Sequence, residues 1–152
     1  MSLEQMLMVD QDILMSAEAI LTASAFALYV VAGSPFAPKK VLQRLAKHAT
    51  EKVRMRVAEN PETPEDILEE LIADNDSEVR LAVAENPHTP GVALSRLAHD
   101  DSADVRYGLA ENPNLPLRIL QELAEDENPY VACRAEKTLH SFGYMACATG
   151  SV

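Results

Sequence analysis

The chain has 152 residues, 47% of them apolar, with three Phe, four Tyr and no Trp, so one aliphatic core is within reach. Its formal charge is −11 and no Lys or Arg precedes Lys39, a balance that disfavours phosphate backbones and anionic membrane surfaces. Two cysteines, Cys133 and Cys147, and four dispersed histidines give neither a disulfide framework nor metal-ligand spacing, so no metal, no cofactor and a reducing, cytoplasmic setting are expected.

The first element is the apolar run from Ile13 to Ala32, which carries only Glu18 as a charge and is long enough to raise a membrane span. Ala, Ser and Thr dilute it, and the segment before it holds Glu4 and Asp10 but no basic residue, unlike a secretory signal. Val31-Ala32-Gly33-Ser34-Pro35 also reads as a worn copy of Val57-Ala58-Glu59-Asn60-Pro61, 26 residues on. A degenerate first repeat is therefore expected over residues 1–34.

From Pro35 onward the repeat is plain. Pro35, Pro61, Pro87 and Pro113 stand 26 residues apart, and Val53 to Pro61 answers in register to Val79 to Pro87 and to Val105 to Pro113. A period of this size predicts a solenoid in which each unit covers its neighbour's apolar face. The unit from 61 to 86 opens with the turn Asn60-Pro61-Glu62-Thr63. Thr63 is expected to cap a first helix, A, that begins at Pro64, buries Ile67, Leu68, Leu71 and Ile72, and ends near Asp74. Thr50, Asp76, Ser102 and Asn128 share one register position, and all are good N-caps for a second helix, B. Val79, Ala82 and Val83 give helix B its buried stripe. Each helix is too short to persist alone, so stability must come from stacking, expected between the A helices of successive units.

The expected fold is thus all-α: a single helical-repeat domain over 1–152, about five 26-residue two-helix units, with four regular repeats over 35–137 and a cap or tail over 138–152. Beyond Thr138 the pattern dissolves. The apolar first layer, around Ala25, Phe26, Leu28 and Val30, is a candidate face for a homo-oligomer.

The signature Val-Arg-x-x-Val-Ala-Glu-Asn-Pro-x-Thr-Pro followed by Leu-x-x-Leu-Ala resembles the leucine-rich repeat variant family, kin to HEAT-like repeats, from Pro35 to about Lys137. The resemblance implies a right-handed superhelix used for protein–protein contact. In that family an α-helix alternates with a 3₁₀ helix, whereas the caps and apolar spacing here favour two full helices per unit. An N-terminal cysteine cluster for iron–sulfur, known in one member, does not carry over, because no cysteine precedes Cys133. HEAT-like repeats place an Asp six residues before an Arg. Asp74/Arg80 and Asp100/Arg106 match, while His48 before Arg54 and Ala132 after Asp126 break the pattern.

Three ladders follow from the register. Arg54, Arg80 and Arg106 form a basic column that either grips carboxylates of a partner or ties the A–B loop to its Asp and to neighbouring layers. Glu59, Glu85 and Glu111 form an acidic column at helix C-termini, where the dipole opposes them and a next-layer Arg or a basic partner must compensate. Asn60, Asn86 and Asn112 beside them read as turn formers. Met55, Leu81 and Tyr107 line a groove for a partner or pack between layers. No phosphate-cradling Gly-rich loop and no nucleophile–base constellation is present, so a non-enzymatic protein-binding scaffold is expected. The candidate contacts are Arg54, Arg80, Arg106, Glu59, Glu85, Glu111 and Tyr107. A nucleic-acid-binding rod and a self-assembling module are the alternatives.

Overall fold

The computed structural model describes residues 24–112 and 114–141. Among these residues every regular element is a helix: α1 (Ala25–Ala32), α2 (Lys39–Leu45), α3 (Glu51–Glu59), α4 (Glu65–Leu71), α5 (Ser77–Glu85), α6 (Gly91–Leu97), α7 (Ala103–Glu111), α8 (Leu117–Leu123) and α9 (Pro129–Ser141). Each unit pairs a seven-residue helix A (α2, α4, α6, α8) with a longer helix B, nine residues in α3, α5 and α7. Both are α-helical, as the caps and apolar spacing required.

The start of helix A differs from expectation. Pro64 is the N-cap rather than the first helical residue, with φ −63° and extended ψ, and Pro38, Pro90 and Pro116 stand at the same position. Thr63 does not cap. Its buried hydroxyl donates to the Val57 carbonyl at 2.6 Å, and Thr89 does the same to Val83. The reason is local: the last carbonyls of helix B lack intrahelical partners, and burial makes satisfying them more urgent than capping an exposed short helix. Helix A ends at Leu71 rather than near Asp74, because Leu68 and Leu71 accept in a tight turn that releases the chain toward α5.

The N-caps of helix B fall where the sequence places them, at Thr50, Asp76 and Ser102. Only the Asp76 side chain of these three accepts a capping bond, from the Glu78 amide at 2.9 Å. Asn128 accepts from the Tyr130 amide in the same way at the start of α9.

Stacking runs through the B helices, not the A helices: α1, α3, α5, α7 and α9 lie one on the next, while successive A helices barely touch one another. Ala58, Ala84 and Ala110 are fully buried in this column, so adjacent backbones approach closely. Val53, Val57, Val79, Val83, Val105 and Leu109 turn inward to meet Leu68, Leu71, Leu94, Leu97, Leu120 and Leu123 of the A helices. A buried aliphatic side chain contributes about 1.5–3 kcal/mol, and this continuous core holds helices too short to stand alone. The seven-residue helix A has one apolar side, whereas helix B carries small or apolar residues toward both neighbours and toward helix A.

The first and last layers adapt the plan. Within the run from Ile13 to Ala32, α1 occupies the B position, with Leu28 and Ala32 buried against the stack; the part before Ser24 lies outside the described residues. No helix among the described residues is long and apolar enough to cross a membrane. At the other end the helix continues where the repeat stops: α9 runs to Ser141 and buries Thr138 and Leu139. Leu139 stands where Pro113 stands one unit earlier, so nothing breaks the helix there.

Candidate interaction surface

The arginine column is the most regular polar feature. Arg54 binds Asp74, Arg80 binds Asp100 and Arg106 binds Asp126, each through Nε and Nη2 to both carboxylate oxygens, with Nε–Oδ2 at 2.7 Å in all three pairs. Nη1 of each donates to a carbonyl six residues earlier, at His48, Asp74 and Asp100. Asp74 and Asp100 thus each give a main-chain carbonyl to the Arg six residues on and their carboxylate to the Arg of the preceding layer. Each Arg ties the A–B loop and a neighbouring layer together, but its carboxylate partner is the Asp of the following unit rather than its own. The same carboxylates accept the amides of Asp76, Ser102 and Asn128, and His48 Nδ1 accepts the Thr50 amide where an Asp is missing.

In the middle pair the Arg80 and Asp100 side chains are only 15% and 7% exposed. Burial alone would raise the Asp74 and Asp100 carboxyls. The arginine and amide hydrogen bonds, with the arginine charges, outweigh it and leave both below the usual Asp value. At Asp126 the Arg106 bond is the largest influence, and the direction is the same. Arg54, Arg80 and Arg106 are held more firmly protonated in turn, chiefly by those bonds. Their guanidinium groups are committed within the fold.

The asparagines do more than turn the chain. Asn86 Nδ2 donates to the carbonyls of Ala58 and Asn60 in the layer before, at 2.6 and 3.0 Å, while its Oδ1 accepts the His88 amide. Asn60 repeats this on Ala32 and Ser34, which puts α1 in register with the B helices. In the last layer Thr138 replaces the amide and donates to Ala110 at 2.7 Å. An amide both donates and accepts, so one side chain closes a turn and bridges two layers. The clue in the sequence was identity: the cap position varies freely in chemistry-equivalent residues, whereas this one stays Asn in three of the four regular units.

The acidic column remains at the surface. Glu59 pairs with Arg56 of its own helix at 2.8 Å, and Glu111 with Arg134 of the following layer at 3.4 Å. Glu85 has no hydrogen bond or ion pair among the described residues. Partial burial first, then the charges of Glu111, Glu59 and Glu78, push its carboxyl above the usual value. A cavity of about 430 Å³ opens beside it, lined by Glu85, Asn86, Gly91, Gly108 and Glu111. Next to the acids, Met55 and Leu81 are partly buried against the core, and Tyr107 is 37% exposed. Tyr107 and the three glutamates therefore share the outer side of α3, α5 and α7, while the arginines lie inside the layered framework.

The leucine rich repeat variant family model matches residues 78–102, from the first turn of α5 through α6 to the cap of α7. The match supports that part of the resemblance read from the sequence; the HEAT-like part has no match. No curated protein and no solved structure matches the chain.

Proposed function

We propose that this chain is a non-enzymatic scaffold that binds another protein through the outer face of its B helices. The observation that carries the reading is Glu85, an acid at the centre of a regular column with no ion-pair partner among the described residues, beside an open cavity, with Tyr107 exposed on the next B helix. Like charges gathered on a rigid framework are destabilising in isolation and favourable once a basic partner covers them. The aliphatic and aromatic side chains beside them supply the apolar part of such a contact. The three ladder arginines, which a nucleic-acid-binding rod would need free, are each saturated by an Asp. A cytoplasmic location belongs to this same proposal.

The test is capture of a partner on the tagged chain, with contacts mapped by hydrogen–deuterium exchange. Tyr107→Ser combined with Glu111→Gln is expected to lose the partner with little change in melting temperature. Retention of the partner by that variant, or protection confined to the A helices, refutes the face.

A further inference from the structure

Among the described residues the B helices meet at four joints, α1/α3, α3/α5, α5/α7 and α7/α9. Three of them are stitched near the C-terminal ends of these helices. Asn60, after α3, donates to the carbonyls of Ala32 and Ser34, and Asn86, after α5, to those of Ala58 and Asn60. Thr138 of α9 donates to Ala110, with Arg134 against Glu111 beside it. Between α5 and α7 the stitch is open. Asn112 holds the equivalent place, yet its Nδ2 makes no hydrogen bond among the described residues, and it is partly exposed where Asn60 and Asn86 are buried. The cavity of about 430 Å³ beside Asn86, Gly91 and Asn112 lies in this gap.

The sequence supplies a reason. The turns at Asn60 and Asn86 end in Thr63 and Thr89, whose hydroxyls tie them to the last turn of the B helix. In the next unit Leu115 takes that place, buried but without a hydroxyl, so the turn after α7 is not tied back. The A helices add nothing at this joint. Lys39–Asp66 and Lys47–Glu70 link α2 to α4, and His99–Glu122 links α6 to α8, but no ion pair links α4 to α6 among the described residues. Across the stack, the α4/α5 layer is held to the α6/α7 layer by the apolar core, by Leu81 lying on Gly108, and by Arg80 with Asp100 at the opposite edge. Glu85 and Glu111 stand at the open edge with like charges.

We infer that the stack hinges between α5 and α7, pivoting on the Arg80–Asp100 edge and opening and closing at the edge of Asn86 and Asn112. In the closed arrangement Asn112 Nδ2 donates to the Ala84 and Asn86 carbonyls, as Asn86 does to Ala58 and Asn60 one layer earlier. A repeat array flexes at its weakest interface, because each layer touches only its neighbours. Glu85 and Tyr107 lie on opposite sides of the joint, so the hinge sets the curvature of the outer B-helix face.

Electron paramagnetic resonance tests this through the dipolar coupling of spin labels on cysteine pairs, in the full chain carrying Cys133→Ser and Cys147→Ser. Labels at the exposed positions Asp66 and Val92 span the open edge. Val92 and Arg118 span the same edge one joint further on, and Asn75 and Asp101 span the Arg80–Asp100 edge. The Asp66/Val92 pair is expected to give a broader distance distribution than either of the others. Leu115→Thr, which restores the hydroxyl, is expected to narrow the Asp66/Val92 distribution and leave the other two as they were. Equal widths at all three pairs, or a broad Asn75/Asp101 pair, overturn the hinge. A folded Leu115→Thr chain with the Asp66/Val92 distribution unchanged overturns it as well. The comparison of the three pairs depends neither on that variant nor on any partner, so its result is separate from the protein-binding reading.

Discussion

Replacing Arg80 by Met tests the framework at its centre. The substitution keeps an unbranched apolar stem but removes the fork that binds Asp100 and the donor to the Asp74 carbonyl. Asp100, with its side chain 7% exposed, would be left with the Ser102 amide alone. Breaking a buried ion pair from one side costs about 3–5 kcal/mol, and the lower end applies because this pair lies near the rim of the stack. For a chain of this size about 3 kcal/mol corresponds to a fall of about 6–12 °C in Tm, read by circular dichroism. The sharper measurement is a double-mutant cycle in urea. Arg80→Met with Asp100→Asn should couple by about 2 kcal/mol, and Arg80→Met with Asp74→Asn by about 0.5 kcal/mol or less. A larger coupling to Asp74 would refute the assignment of each arginine to the layer that follows it.

Asn86→Ala removes two inter-layer donors and one turn acceptor at a buried site, and should cost about 2–3 kcal/mol by thermal melting. Asn86→Asp should not rescue it, because a carboxylate has no proton for the two carbonyls. Glu85→Gln should raise Tm at neutral pH. The native carboxyl is pushed up, so the ionised form opposes folding above its native pKa, and the advantage should vanish as acid protonates Glu85 in both states. Asp74, Asp100 and Asp126 act in the opposite sense. Their native values are lowered, so their contribution is full above the unfolded Asp pKa of about 4 and is lost as pH falls through the depressed native values. An acid titration of Tm should therefore be shallower below pH of about 4 in Asp100→Asn than in the unaltered chain, and an identical slope would contradict the pairing.

Much of the architecture was legible because repetition exposes it. Proline spacing marked the units, and the N-cap column at Thr50, Asp76 and Ser102 marked where helix B begins. Thr63 was misread because a Thr before Pro looks like a cap, while the buried carbonyl of Val57 that claims its hydroxyl is not visible in a linear pattern. The stacking column was misassigned for a similar reason. Helix A shows the cleaner stripe, with Ile67, Leu68 and Leu71, but the layers join through Ala58, Ala84 and Ala110, whose burial depends on what passes over them.

The arginine ladder shows where the boundary lies. In a 26-residue repeat an Asp six residues before an Arg and one twenty after it occupy the same column, so the period alone cannot choose between them. Only the ends of the array discriminate: every ladder Arg has an Asp twenty residues later, whereas Arg54 has His48 six before. Likewise the glutamate column looks uniform in sequence, and only packing separates Glu59 and Glu111, which meet arginines, from Glu85, which faces Gly108. The sequence determined the unit, its two helices and its columns, because these follow from local propensity and a fixed period. Tertiary structure decided which layer answers each charge, because that depends on distances across the stack, which a repeating chain encodes identically in every unit.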